Sequence, residues 1–237
     1  LYIHLPYCEH LCTFCACHKH ITVQHSVEDP YIDAVLAEWK LYVDLLEDTP
    51  IIREIHLGGG TPTFFSAANL KRLIDGIFVY AQRPEHYDFS FEAHPNHTTE
   101  EQLQTLYDLG FRRTSFGIQD YDPTVQKAIN RIQRFEDVEK IHNLAKKIGY
   151  ESISHDIIFG LPHQNKENIK TTIANTVKLM PDRIAYYSYA HVPWIKGVGQ
   201  RGFDENDLPK DEYKRALYEL GKQLFFEAGY EEIGMDH

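Results

Sequence analysis

Tyr2-Ile3-His4-Leu5-Pro6-Tyr7-Cys8-Glu9-His10-Leu11-Cys12-Thr13-Phe14-Cys15-Ala16-Cys17 reads as a short apolar strand that runs straight into a loop. That loop carries all four cysteines of the chain. The CxxxCxxC spacing sets three thiolates on one tight turn. Soft thiolates select iron–sulfur clusters or zinc and hold other common metals poorly. A disulfide framework is disfavoured, because bonds between neighbours on one loop would staple nothing. Structural zinc sites draw their ligands in pairs, CxxC with a second CxxC or with later histidines. Here the intervals are three, two and one, and a CxC bite is strained around one tetrahedral ion. Three thiolates on a [4Fe–4S] cube leave one iron open to a substrate or cofactor. The loop alone favours the cluster and leaves zinc as the competing reading.

Working outward, strands and helices alternate. Asp29-Pro30 is a helix start, Asp as cap and Pro at the first helical position, with Val35, Leu36, Trp39, Val43 and Leu46 as the apolar face. Residues 53–57 form a second strand closed by Gly58-Gly59-Gly60, and Ser66 caps the next helix. Tyr87–Ala93 is a third strand, and Thr98-x-x-Glu101 is a capping box. Strands are expected at 112–118, 151–159 and 183–190, helices around 138–148 and 166–179, a last helix near Pro209 and a strand near 230–235. Gly110-Phe111, Gly149-Tyr150 and Gly229-Tyr230 are a repeated helix-to-strand junction. This alternation gives an α/β fold with a parallel sheet, a partial (βα)6 TIM-like barrel in one domain spanning 1–237. In such barrels the chemistry sits at the C-terminal ends of the strands. The unusual residues fall there: the cysteines after strand one, the glycines after strand two, Glu92 and His94 at strand three, Gln119 at strand four, Asp156 in strand five, and Ala190 and His191 at strand six.

These motifs resemble a known family. CxxxCxxC after a short apolar strand, with Phe14 just before the third cysteine, is similar to the signature of radical S-adenosylmethionine enzymes. Cys17, Gly58-Gly59-Gly60-Thr61-Pro62-Thr63, Gly117-Ile118-Gln119-Asp120, Gly160-Leu161-Pro162 and Gly234-Met235-Asp236-His237, taken in order, resemble the oxygen-independent coproporphyrinogen III oxidase family across the chain. The resemblance implies that Cys8, Cys12 and Cys15 hold a [4Fe–4S] cluster. It implies that Tyr2, Phe14, Gly59, Gly60, Thr61 and Glu92 contact S-adenosylmethionine, with the glycine turn's N–H groups exposed toward its methionyl part. Gln119, Arg131, Asp156 and Ala190 match positions for a second S-adenosylmethionine. Cys17 would lie near substrate as a catalytic residue. The implied reaction uses a 5′-deoxyadenosyl radical to convert two propionates of coproporphyrinogen III to vinyls, giving protoporphyrinogen IX for haem biosynthesis. A low-potential one-electron donor such as flavodoxin or ferredoxin is the implied partner. The family carries an N-terminal extension and a C-terminal domain, so the chain reads as an excerpt of a longer protein.

The alternatives are a haem-binding or haem-modifying relative, which usually lacks the CxC cysteine, and a zinc-stabilised interaction module. A net charge of -11 makes duplex nucleic acid an unlikely partner. No apolar run approaches the ~20 residues of a membrane span, clustered thiols fit a cytoplasmic location, and a monomer is expected. A four-carboxylate substrate needs a local basic patch, for which Arg112, Arg113, Lys19 and Arg201 are the candidates.

Overall fold

The computed structural model describes residues 1–237. In chain order it runs β1 (Tyr2–Leu5), β2 (Tyr7–Cys8), β3 (His20–Ile21), α1 (Glu28–Val43), β4 (Glu54–Gly59), α2 (Ala67–Phe78), β5 (Asp88–Ala93), α3 (Glu100–Asp108), β6 (Arg113–Gln119), α4 (Pro123–Ala128), α5 (Phe135–Ile148), β7 (Ser152–Phe159), α6 (Lys166–Leu179), β8 (Arg183–Ser188) and α7 (Asp211–Glu227). Six strands form one sheet in the order β1-β4-β5-β6-β7-β8, every neighbouring pair parallel. Each new strand joins the same edge, which gives an α/β partial barrel left open between β1 and β8. The short β2 and β3 pair with each other at the base of the cysteine loop.

Strands buried on both faces read as continuous apolar runs. These alternate instead. Phe89, Phe91 and Ala93 of β5 are buried against the helices, whereas Asp88, Ser90 and Glu92 point the other way. The same alternation in β6 buries Thr114, Phe116 and Ile118 and leaves Arg113, Ser115 and Gly117 on the inner face. The sheet therefore has an apolar outer face and a polar lumen. Phe89, Phe91, Phe111 and Phe116 are completely buried in the outer layer, and cutting one to alanine costs ~3–5 kcal/mol.

Several local expectations shift. α1 starts at Glu28, so Asp29 lies inside its first turn rather than capping it, and the buried Glu28 carboxylate accepts bonds from Ser66 N, Ser66 Oγ and Asn69 Nδ2 at the start of the next helix. The helix ends at Val43, so Leu46 is exposed and Ile32 is the buried anchor. The capping box is Thr99 with Gln102, one residue later than expected. The short α4, capped by Asp122, was not foreseen. No strand forms near 230–235; a single bond from Tyr186 N to Asp236 O, 2.8 Å, touches the sheet edge there. All three helix-stopping glycines are left-handed, with φ of 101° at Gly110, 113° at Gly149 and 93° at Gly229, but only the first two lead into a strand.

Candidate active site

The upper mouth of the lumen, at the C-terminal ends of the strands, is a cleft of about 250 Å³. Of the residues expected from sequence, Cys8, Cys12, Phe14, Cys15, Cys17, Gly59, Gly60, Thr61, Glu92, Gln119, Arg131 and Asp156 all line it. Tyr2 and Ala190 do not. Tyr2 lies lower in the lumen, stacked on His56 with ring centroids 5.9 Å apart and bonded to His4 Nδ1 at 3.0 Å. Ala190 follows the end of β8, and its carbonyl accepts Gln200 Nε2 at 2.7 Å.

The glycine turn earns its residues differently from the expectation. A Cβ on Gly60 would sit 2.5 Å from Pro6 O, and one on Gly59 2.9 Å from the His4 ring. The N–H groups are already used: Gly60 N donates to Leu5 O at 2.9 Å, Thr61 N to Tyr7 O at 3.0 Å, and Gly59 N to Glu92 Oε2 at 3.2 Å. The turn is therefore not a row of free donors. Close passage of the β1–β2 backbone demands glycine there, and Glu92 braces the turn while His56 Nε2 holds its other oxygen at 3.3 Å.

The thiols differ in environment. Cys8 is buried, with Thr61 Oγ1 3.3 Å from its sulfur, and burial raises its pKa. Cys15 is drawn down to about 6 by its hydrogen bonding with Cys17, helped by the Lys19 ammonium, while the same pairing raises Cys17. Cys17 is exposed. Arg131 is buried; its Nη2 donates to Gly117 O at 2.5 Å, its Nη1 lies 3.5 Å from Cys12 Sγ, and its Nε has no partner. No three His, Cys, Asp or Glu side chains gather on one point as they would around a single ion. Three soft thiols spread along one wall, beside a guanidinium with an unspent N–H, suit a thiolate-held cluster with an anionic or polar ligand next to it.

A bulge between Gly117 and Gln119 re-aims Gln119, at φ 69°, into the cleft. Buried amides hold it: Gln133 Nε2 donates to Ile118 O at 2.6 Å, and Gln126 Nε2 bridges Asp120 O and Gln133 O at 2.9 and 2.8 Å. Asp120, raised to about 6 by burial, accepts Gln164 Nε2 at 2.6 Å and Thr172 Oγ1 at 3.0 Å. Opposite stands Asp156, raised to about 7 by burial and by the Glu92 carboxylate.

Sequence reasoning missed Glu9, His10 and His97 as cleft walls, whereas His94, expected on the rim, does line the cleft. His97 Nδ1 lies 3.1 Å from Glu9, and His94 is held far below the usual imidazole range by burial and by the Arg131 charge. Only the inner-face alternation could have flagged Ser115 and Tyr187, which also line the cleft. Two proposed carboxylate binders are misplaced. Arg112 and Arg113 lie at the N-terminal end of β6, where Arg113 pairs with Asp88 and Arg112 stacks on Tyr107. Lys19 does line the cleft, and the backbone of Arg201 touches the cysteine loop at Thr13 O.

The family profile of the Radical SAM superfamily matches residues 2–175. The chain is 42% identical to the oxygen-independent coproporphyrinogen III oxidase of Helicobacter pylori strain J99, over 100% of this chain and 52% of that protein. It is 38% identical to the enzyme of the same name from Cereibacter sphaeroides, again over 100% and 52%. The solved structure of the Escherichia coli coproporphyrinogen III oxidase, described as a radical SAM enzyme, superposes with a TM-score of 0.94 at 34% identity, over 99% of this chain and 54% of that one. Methylornithine synthase, at 15% identity and a TM-score of 0.62, shares the fold. The chain spans about half the length of the curated relatives it matches.

Proposed function

Because the chain belongs to the Radical SAM superfamily, we propose that it carries the catalytic core of an oxygen-independent coproporphyrinogen III oxidase. The observation that supports this most is the single cleft in which Cys8, Cys12 and Cys15 face Glu92, Gln119, Arg131 and Asp156 across a brace of glycines. When bound there, a [4Fe–4S] cluster and S-adenosylmethionine supply one-electron chemistry that removes a hydrogen atom from an unactivated carbon.

The chain's residues divide the remaining work. Cys8, Cys12 and Cys15 are the cluster thiolates, Cys8 fixed by Thr61 and Cys12 by the Arg131 charge. Glu92, anchored by Gly59 N, presents a carboxylate to the methionyl ammonium of S-adenosylmethionine beside the cluster. Gln119, Arg131 and Asp156 offer an amide, a cation and a carboxylate for the hydroxyls and carboxylate of a second nucleotide. Cys17, exposed on the cleft wall, is a thiol able to give up a hydrogen atom near substrate. In the overall conversion each of two propionates loses a β-hydrogen atom, carbon dioxide and one electron, and a vinyl group remains. The reducing electron comes from a low-potential carrier such as flavodoxin or ferredoxin.

An anaerobic assay with coproporphyrinogen III, S-adenosylmethionine and a low-potential reductant tests this. Protoporphyrinogen IX formed together with 5′-deoxyadenosine supports it; S-adenosylmethionine cleavage with no porphyrinogen turnover points to another substrate. Cys17→Ser should keep the cluster and lose turnover, and full turnover would remove Cys17 from the chemistry.

A further inference from the structure

We propose that Gln200 is a positioning residue that clamps the cysteine loop to the end of β8 and so sets where the third thiolate stands. This rests on the assignment of Cys8, Cys12 and Cys15 as the cluster-holding thiols.

The Gln200 side chain is buried, and both protons of its amide and one of the two lone pairs on Oε1 are spent on backbone. Nε2 donates to Phe14 O at 3.0 Å and to Ala190 O at 2.7 Å, and Oε1 accepts Val192 N at 2.6 Å. One amide thus joins the residue just before Cys15 to the segment leaving β8, across 186 residues of sequence. The backbone on either side repeats the attachment: Gly199 N donates to Cys15 O at 3.0 Å and Arg201 N to Thr13 O at 3.3 Å. Residues 199–201 therefore run against 13–15 like a short antiparallel strand. The approach is so close that a Cβ on Gly199 would lie 3.0 Å from Cys12 O and 2.9 Å from Leu11 Cδ1.

The loop is gripped from the other side as well. Thr13 N donates to Ile129 O at 2.8 Å, Thr13 Oγ1 to Ala128 O at 3.0 Å, and Asn130 Nδ2 to Leu11 O at 2.8 Å. That grip belongs to the segment that also carries Arg131. The grip by Gln200 is different, because Gln200 is not among the residues lining the cleft. It acts only through the backbone it holds. It spans the lateral opening of the barrel, between the loop that follows β1 and the end of β8, where no sheet hydrogen bonds hold the two sides together.

Buried amides that satisfy backbone carbonyls are costly to remove, because the partners are left without hydrogen bonds. Gln200→Ala strips three bonds. Gln200→Glu keeps the shape but turns a carboxylate toward the Phe14 and Ala190 carbonyls. The test uses the intact protein in its metal-free, reduced state. Iodoacetamide alkylation of Cys15 and Cys8 is followed by mass spectrometry. Cys8 is the internal reference, since β2 and Thr61 hold it independently of Gln200. The Cys15-to-Cys8 rate ratio should rise about tenfold in both variants, as loss of two or three hydrogen bonds implies. With the cluster assembled, loss of iron to a chelator should accelerate by a similar factor. An unchanged ratio in both variants overturns the proposal, whether the rates stay low or rise together through global unfolding. The alkylation needs no metal, so a parent protein that fails to bind iron would sink the cluster assignment without deciding the clamp.

Discussion

At the lower end of the lumen Arg113 of β6 reaches across to Asp88 of β5, and both are about one-third to two-fifths exposed. At the upper end, on the same alternating positions of the neighbouring strands, Asp156 lies opposite Glu92 and Arg131, and the Arg131 Nε has no partner. Both ends place charge on a concave polar wall. The lower end neutralises it internally. The upper end leaves a carboxylate near pH 7 and an unspent guanidinium donor, an arrangement that is unfavourable without a ligand because burying unpaired polar groups is costly. Incompletely paired charge at one mouth and a closed ion pair at the other distinguish a site held open for binding from one closed by its own pairs.

The largest effect should come from the upper wall. Cys12→Ser is expected to abolish cluster assembly, read as loss of iron and of visible absorbance, with the thermal midpoint changed by only a few degrees because the thiol is half-buried.

Asp156→Asn separates binding from stability. Calorimetry should show S-adenosylmethionine binding at the second nucleotide position weakened by roughly 10- to 100-fold, in line with the loss of a charge-assisted contact. The metal-free protein should become more stable. The folded pKa of about 7 lies above the ordinary carboxylate value near 4. The stability tied to the bound proton is therefore complete below about pH 4 and is lost as pH rises through about 7. The variant's advantage in urea unfolding should be a few kcal/mol at pH 8.5 and should shrink toward zero near pH 4. No pH dependence of that difference would mean that the carboxylate is solvated or paired.

A third test concerns charge that the outer layer must avoid. His142 and His155 are completely buried, with Nδ1 of the first 3.0 Å from Nε2 of the second. Burial lowers His142 to about 4 and holds His155 well below the usual imidazole range. Both are neutral in the fold and accept protons on unfolding. Their contribution is complete above about pH 6.5 and is lost as pH falls toward 4. The urea midpoint should fall across that window, and His142→Asn should flatten the slope by up to about 1.4 kcal/mol per pH unit. A slope unaffected by the variant would place the acid sensitivity elsewhere.

The smallest effect belongs to the lower mouth. Arg113→Met should cost no more than about 1 kcal/mol, since the pair is partly exposed, and should leave nucleotide binding unchanged. A large loss of binding would make the two mouths one site.

The strand–helix alternation and the rim were legible because period-2 runs and Gly-aromatic junctions are local signals. The cysteine loop was legible because thiols are scarce. What the sequence hid was long-range. Nothing near Gly58 shows that the Leu5 and Tyr7 carbonyls consume the turn's N–H groups. Glu28 looked like a residue before a cap, and its contact with Ser66 and Asn69 has no local signal. Gln126, Gln133 and Gln200 carry no motif at all, because a buried amide is recognised by what it bridges and not by its neighbours in sequence.

The most direct measurement is iron and acid-labile sulfide analysis of protein prepared without oxygen, for the parent and for the Cys8, Cys12 and Cys15 serine variants. About four irons and four sulfides per chain, lost in each of the three variants and kept in Cys17→Ser, is the expected result. Stoichiometric zinc without sulfide, or a cluster indifferent to those three cysteines, would contradict it.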